Sequence, residues 1–344
     1  MSEPAPSVVH VIRSDGFAGV EKHVARLASA QAVDGWRVAV IGGGGVPMHQ
    51  EWGGSRVPHR EAVTLLDTVR RLDEFRGVDL VHAHMTAAET AAVLSPRMRH
   101  VPLVVTRHFA APRGGSALGR LVAPLIRRRL SAQIAISDYV ARSIDGASTV
   151  IYPGVPSAPD LLPGAQREPT VLVAQRLEPE KRTEDAVRAF AASGLAAGGW
   201  QLAIAGSGSQ APALRRLADA LGVSQATRFL GHRSDVPELM ASASMLLATC
   251  DVEGLGLSLL EAMALGLPVV ASSAGAHLET VGGVDGAALY PPGDAEAAGA
   301  LLAALAASAD QRRVYGRGLQ QAQRARFSIA AQAEQTEALY RSLL

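Results

Sequence analysis

Residues 245–271, from Met245 to Ala271, read MLLATCDVEGLGLSLLEAMALGLPVVA. The apolar run 245–248 has the length of a buried strand, and 268–271 repeats it. Between them, 256–265 carries its apolar residues at helical spacing. Strand, helix, strand in so short a span predicts two parallel strands joined by a right-handed crossover. Glu253, Gly254, Leu255, Gly256 and Leu257 then fall between the first strand and the body of the helix, and Glu261 falls inside it.

The same rhythm extends in both directions. Strands are predicted at 8–12, 37–41, 80–83, 103–106, 133–136 and 149–152. Beyond a loop rich in Pro and Gly, 153–169, they resume at 170–174, 201–205 and 227–230. Helical patterns lie between, as at 21–32, 87–94 and 213–221. From Asp294 onward the chain reads as purely helical, with a last amphipathic segment at 329–343. The fold class is therefore α/β, with two doubly wound parallel-sheet (Rossmann-like) domains facing across a cleft. Residues 1–155 form the first, with a C-terminal helix at about 328–344 packing back on it, and 156–327 form the second.

Composition narrows the function. At 344 residues the chain is long enough for two cores. With 48% hydrophobic and 19% charged residues it is neither disordered nor fibrous. A formal net charge of +1 excludes a generally basic nucleic-acid binder. One cysteine, Cys250, excludes a disulfide framework and a cysteine zinc site and fits a reducing, cytoplasmic setting. The N-terminus lacks a signal-peptide pattern, and no run of about 18 apolar residues is present.

In open α/β sheets ligands sit beyond the carboxyl ends of the strands. His84 follows 80–83, His108 follows 103–106, Arg176 follows 170–174, Gly206 and Gly208 follow 201–205, and Glu253 follows 245–248. Gly254 and Gly256 leave the next helix start uncluttered, so its positive end can face a phosphate. Arg176 and Lys181 flank a Glu-Pro turn where two cations can clamp a diphosphate in place of a metal. Taken singly, each has an ordinary surface reading, and Glu253 and Glu261 eight apart are a weak signal.

Taken in order, they resemble family 4 of the retaining glycosyltransferases over nearly the full chain. The resemblance rests on Gln175-Arg176-Leu177-x-Pro179-Glu180-Lys181, Ala205-Gly206-Ser207-Gly208, Phe229-Leu230-Gly231 and the Glu253 to Glu261 segment. Asp285-Gly286 and Tyr290-Pro291-Pro292-Gly293-Asp294 complete the series. It implies the GT-B fold and transfer of a hexosyl group from a nucleotide diphosphate sugar, UDP favoured over GDP, to a hydroxyl acceptor. No cofactor or metal is implied. Arg176 and Lys181 would bind the diphosphate, Glu261 the ribose and Glu253 the transferred sugar. Gly254 to Leu257 would present backbone amides, with Gly206, Gly208 and Gly231 lining the donor. His108 would reach the sugar from the first domain, and Gly19 and Glu21 would approach donor and acceptor. The chain departs from the pattern at Ala18, Pro153, Leu255 and Ala276. The resemblance also implies same-face attack, the leaving phosphate oxygen taking the acceptor's proton.

Two rivals remain open: a non-catalytic sugar-nucleotide binding protein and a GT-B nucleotide-sugar epimerase. His82 and His84 share one strand face as metal ligands do, but no third ligand is evident nearby. Asp251 and Glu253 superficially resemble a metal-binding acid pair. The glycines at 42–45 read as a flexible turn without a dinucleotide fingerprint. Between Glu89 and Asp138 no acid occurs, while Arg97, Arg99, Arg107, Arg113, Arg120, Arg127, Arg128 and Arg129 accumulate. This is either a solvated face or a patch for an anionic acceptor or the inner face of a membrane. Partners are otherwise the donor and a small-molecule, glycan or lipid-linked acceptor, with no nucleic acid.

Overall fold

The computed structural model describes residues 5–53, 57–113, 117–159 and 167–344, with side chains described outside 117–122. It divides into two compact units, Met1–Gly154 with Ser328–Leu344, and Val155–Phe327.

Unit 1 is built on seven strands: β1 (Ser7–Ile12), β2 (Arg37–Ile41), β3 (His59–Arg60), β4 (Leu80–His84), β5 (Leu103–Arg107), β6 (Ala132–Ala135) and β7 (Thr149–Val150). Their order is β3-β2-β1-β4-β5-β6-β7, parallel throughout. Unit 2 holds β8 (Glu168–Ala174), β9 (Gln201–Ala205), β10 (Thr227–Gly231), β11 (Ala243–Ala248), β12 (Val269–Ser272) and β13 (Ala288–Tyr290). Their order, β10-β9-β8-β11-β12-β13, is again parallel. In both sheets the strand order reverses once, between β1 and β4 and between β8 and β11. Ligands of such sheets gather beside that reversal, beyond the strand ends.

The central strands are buried on both faces, which is why they read as continuous apolar runs rather than alternating ones. All six residues of β1 are buried, as are all five of β4 and of β5. Helix ends are fixed by side chains where the sequence supplies a cap. Thr64 accepts from the Asp67 amide, Ser308 from that of Gln311 and Ser328 from that of Ala331. The last helix, Ile329–Arg341, lies in unit 1, its Tyr340 fully buried with its ring centroid 5.4 Å from that of Trp36.

The structure corrects the sequence reading in three places. The short edge strands β3 and β13 went unforeseen, because runs of two and three residues carry too little pattern. Glu168 and Pro169, assigned to the linker, already belong to β8; Pro169 is tolerated near the strand's start. Residues 160–166 of that linker lie outside the described residues. The four glycines are also more than a flexible turn. Gly42 sits at φ +88, where a Cβ would come within 1.7 Å of the Ile12 carbonyl oxygen. Gly43 and Gly44 donate to Ser14 and Gly16 carbonyls, so the stretch pins the ends of β1 and β2 together before the helix Gly45–Trp52 begins.

Candidate functional site

In unit 1 the switch-point strands bring histidines together. Parallel register sets His10 beside His82, and His84 beside Thr106. His82 and His84, two apart, share a face with His10, and the helix Gly19–Val33 adds His23. His108 follows β5. All five imidazoles are buried. His10 Nδ1 lies 3.1 Å from His84 Nε2, and His84 Nδ1 lies 3.2 Å from His108 Nε2. His10 Nε2 reaches Gln31 Oε1 at 2.7 Å. His82 bonds the Tyr340 hydroxyl at 2.5 Å and the Thr106 hydroxyl at 2.7 Å. The His23 ring stands edge-on to that of His108, centroids 4.8 Å apart.

Burial keeps these rings neutral. It lowers His10 to about 4, and it lowers His108 to about 3 with help from the Arg107 guanidinium. His23, His82 and His84 are pushed well below the usual histidine range, again by burial first. The expectation that His82 and His84 lack a third partner is therefore wrong. His10 completes one three-histidine group with them, and His23 and His108 complete another around His84. Nothing local in the sequence announces this, because the partners come from other strands and a helix.

Behind His108 lies a buried ionic lattice. Glu89, fully buried, accepts from Arg113 Nε at 2.6 Å, and Arg113 Nη1 reaches Asp145 at 3.0 Å. Arg107 bonds Asp145 at 3.3 Å and the Ala111 carbonyl at 2.6 Å, closing the loop after His108. Burial works to raise the Asp145 carboxyl, but the Arg113 amide and guanidinium hold it at about 2. Of the accumulated arginines, then, Arg107 and Arg113 are interior. Arg129 ties the end of the helix Ala117–Arg129 to the Met98 and Val101 carbonyls. Arg97, Arg99, Arg127 and Arg128 are exposed, and the Arg120 side chain lies outside those described. Gly19 opens the helix Gly19–Val33, and Glu21 caps it by accepting from the Ala18 amide at 2.8 Å, with only 6% of its surface exposed.

In unit 2 the carboxyl edge of the sheet carries charge instead. Gln175, after β8, bonds the Lys181 carbonyl, Thr183 and Thr249. This anchors the turn Pro179–Lys181 against the end of β11. Lys181 Nζ meets Glu253 Oε2 at 2.6 Å. Burial opposes the Lys181 ammonium, but Glu253, Cys250 and the hydrogen bond together hold it above the ordinary lysine range. Arg182, at φ +50, pairs with Asp185 at 2.7 Å and Asp251 at 3.1 Å. Asp251 and Glu253 thus each face a cation. Arg176 is exposed and pairs with Glu180 at 2.7 Å.

Gly256 takes φ +84 at the start of the helix Leu257–Ala264, which carries Glu261, while Leu255 is buried. Ala276 donates to the Glu253 carbonyl at 3.0 Å, fixing the loop from behind. Gly206 lets β9 run close under Gln175, whose carbonyl oxygen would stand 1.9 Å from a Cβ there. At Gly208 a Cβ would stand 2.4 Å from the Leu177 carbonyl oxygen, and the Gly231 carbonyl accepts from the Gly206 amide at 2.8 Å. The structure therefore gathers Lys181, Glu253 and the Gly256 helix start, with Gly206 and Gly208 on the neighbouring loop. Sequence reasoning missed Thr249, Arg182 and His277. His277 is buried, its pKa pulled down by burial against Glu253, and its Nδ1 faces the Ser272 carbonyl at 3.0 Å.

Two family models match, "Glycosyltransferase Family 4" over residues 17–158 and "Glycosyl transferases group 1" over 162–321. A GDP-mannose-dependent alpha-(1-6)-phosphatidylinositol monomannoside mannosyltransferase of Mycobacterium tuberculosis is 31% identical over 57% of this chain and 58% of its own length. An exopolysaccharide phosphotransferase of Streptomyces coelicolor is 28% identical over 64% of this chain and 24% of its own. The chain thus spans less than two thirds of these curated relatives. Among solved structures, Anabaena HepE, crystallised with UDP and glucose, superposes with a TM-score of 0.81 at 21% identity, covering 98% of this chain and 100% of that one. With both sheets in doubly wound order and both models in register with the two units, this chain belongs to glycosyltransferase family 4 and has the GT-B fold.

Proposed function

We propose that the protein is a retaining, metal-independent glycosyltransferase that moves a sugar from a nucleotide diphosphate sugar to a hydroxyl acceptor. Unit 2 holds the donor and unit 1 the acceptor. The observation that carries this reading is Lys181 clamped to Glu253 at 2.6 Å beside the positive end of the helix Leu257–Ala264. An ammonium has three N–H donors, and Glu253 takes one. The others are suited to the oxygens of a diphosphate on which negative charge grows as the sugar–phosphate bond breaks. Exposed Arg176 adds a second cation, so the charge a metal would supply is already in the chain. Glu253 accepts sugar hydroxyls and Glu261 ribose hydroxyls. His108 meets the sugar from unit 1, with Gly19 and Glu21 at the neighbouring helix start.

We favour UDP as the nucleotide, supported by the HepE complex; the mannosyltransferase relative favours GDP-mannose as the competing reading. Exposed Arg97, Arg99, Arg127 and Arg128 are suited to an anionic acceptor or membrane surface, which supports a location in the cytoplasm beside the membrane. Among the described residues no helix is long and apolar enough to cross a membrane.

A thermal-shift screen against UDP-, GDP- and other nucleotide sugars tests the donor, since saturating ligand raises the melting temperature. Transfer with the preferred donor should persist in EDTA and keep the donor's anomeric configuration. Loss of activity on chelation, restored by manganese, would remove metal independence. An inverted anomer would remove the retaining reading. Isomerised donor without acceptor would identify an epimerase, and binding without any turnover a non-catalytic protein.

A further inference from the structure

The buried histidines of unit 1 have an internal direction. A neutral imidazole has one N–H and one lone pair, so hydrogen-bonded neutral imidazoles in a row must all donate the same way. The row here is His108 Nε2 to His84 Nδ1, His84 Nε2 to His10 Nδ1, and His10 Nε2 to Gln31 Oε1. Its far end decides its sense. Gln31 presents its carbonyl oxygen to His10 at 2.7 Å, while its buried amide nitrogen makes no hydrogen bond among the described residues. An amide oxygen only accepts. His10 must then carry its proton on Nε2, His84 on Nε2 and His108 on Nε2.

His108 Nδ1, which makes no hydrogen bond among the described residues, is left as a bare acceptor. An amide oxygen is also a poor resting place for a proton, so the row is a dead end for proton transfer. It fixes a tautomer rather than conducting a charge.

We propose that His84, His10 and Gln31 are positioning residues that hold His108 in its Nε2–H tautomer, so that Nδ1 meets a substrate hydroxyl as a hydrogen-bond acceptor. The substrate hydroxyl rests on the proposed transfer reaction; the tautomer does not. Polar side chains with no route to solvent are expensive unless every pairing is satisfied. Apolar residues at positions 10 and 84 would pack this face at lower cost, and they would leave His108 free to exchange its two tautomers. Lowered pKa values, by excluding imidazolium, keep the one-donor, one-acceptor rule in force.

The ring nitrogens are also close enough for two three-histidine metal groups, His10 with His82 and His84, and His23 with His84 and His108. Against a metal in the first group, both nitrogens of His82 are already taken by hydroxyls; against one in either group, among the described residues no carboxylate bonds a ring to offset a divalent charge in a buried site.

The test is nitrogen-15 NMR of histidine-labelled full-length protein at neutral pH, with no donor added. Long-range nitrogen–proton correlations report which ring nitrogen of each histidine is protonated. His108 should show a protonated Nε2 and a bare Nδ1. His10→Leu, which removes a residue His108 does not hydrogen-bond, lets His84 reverse and should move His108 substantially to the Nδ1–H form. His84→Leu should leave it a mixture. With a turned-over donor, either variant should lose about tenfold in kcat while its melting temperature stays above assay conditions.

A wild-type His108 protonated on Nδ1, or doubly protonated, overturns the proposal. So does a His108 tautomer unmoved in both variants, or one equivalent of zinc in the purified protein. If His84→Leu fails to fold, the wild-type and His10→Leu spectra still decide. If no transfer reaction is found but the tautomers behave as stated, the functional reading falls and the tautomer lock stands.

Discussion

The two units present their strand ends in opposite electrical terms. At the switch point of unit 1, burial keeps five imidazoles neutral, three of them joined nitrogen to nitrogen, and among the described residues their other hydrogen-bonding partners are the Gln31 and Gln332 amides and the Tyr340 and Thr106 hydroxyls. At that of unit 2, Lys181–Glu253, Arg182–Asp251 and Arg176–Glu180 are ion pairs. Burial explains the contrast. The histidine face is buried, where charge would have to be desolvated, so its polarity is carried by the sense of its hydrogen bonds. Lys181 and Glu253 keep 16% and 22% of their side-chain surface exposed, enough to stay charged at moderate cost. Each unit also has a non-glycine residue in the left-handed region directly after a central side chain: Met85 (φ +69) after His84 and Arg182 (φ +50) after Lys181. Such backbone typically costs about 1–3 kcal/mol and persists where the surroundings over-determine it. Both sites hold their geometry against local preference.

That contrast can be broken or sharpened by substitution. The largest effect is expected where unit 1 does bury charge. Arg113→Met leaves Glu89 and Asp145 without their main cation and should cost about 3–5 kcal/mol in stability, read by urea denaturation. A loss within the error of the fit would show that the lattice is solvated rather than buried.

Next, in unit 2, Lys181→Ala should lower kcat about 10²–10³-fold with little change in melting temperature if, as proposed, the ammonium acts on developing charge. Lys181→Arg should recover donor binding better than turnover, since a planar guanidinium restores charge without the compact geometry. Near-normal kcat in Lys181→Ala would remove Lys181 from the site.

Acid should separate the units. The folded pKa values of the five histidines lie below that of an unfolded histidine, which takes its proton near 6.5. The unfolded state therefore binds more protons below 6.5. Stability is full above that pH and is lost as pH falls toward about 4. Amide protection in β4, corrected for intrinsic exchange, should fall between pH 7 and 5 more than in β11. Equal protection at both pH values would mean the histidines are not neutralised by burial.

The smallest effect concerns the arginine patch. Arg127→Gln with Arg128→Gln should leave stability within about 0.5 kcal/mol and weaken binding to anionic vesicles or acceptors at low salt, a difference that shrinks as salt rises. Arg129→Gln should destabilise instead, because its guanidinium holds two carbonyls. Vesicle binding unchanged by the double substitution would leave the exposed pair a solvated face.

How much could be read in advance depended on how local each feature is. Strands β2 and β9 match their sequence-predicted bounds because apolar runs of five residues between turn signals are self-declaring. Lys181, Glu253 and Gly256 stand out because a strand end, a turn and a helix start sit within a few residues of one another. The two-residue β3 was illegible: its pairing with β2 depends on a neighbour, not on its own pattern.

Doubly wound architecture, the order of the donor-side motif and the family were thus determined by the sequence alone, through periodicity and short-range spacing. Only the tertiary structure decided that Arg107, Arg113 and Arg129 are structural while Arg127 and Arg128 are not. It alone brought His10, His23, His82, His84 and His108 into one buried cluster. Register between strands and packing across about 75 residues of chain set those contacts, as His10 to His84 shows. A histidine carries no local mark of which nitrogen its distant neighbour will claim.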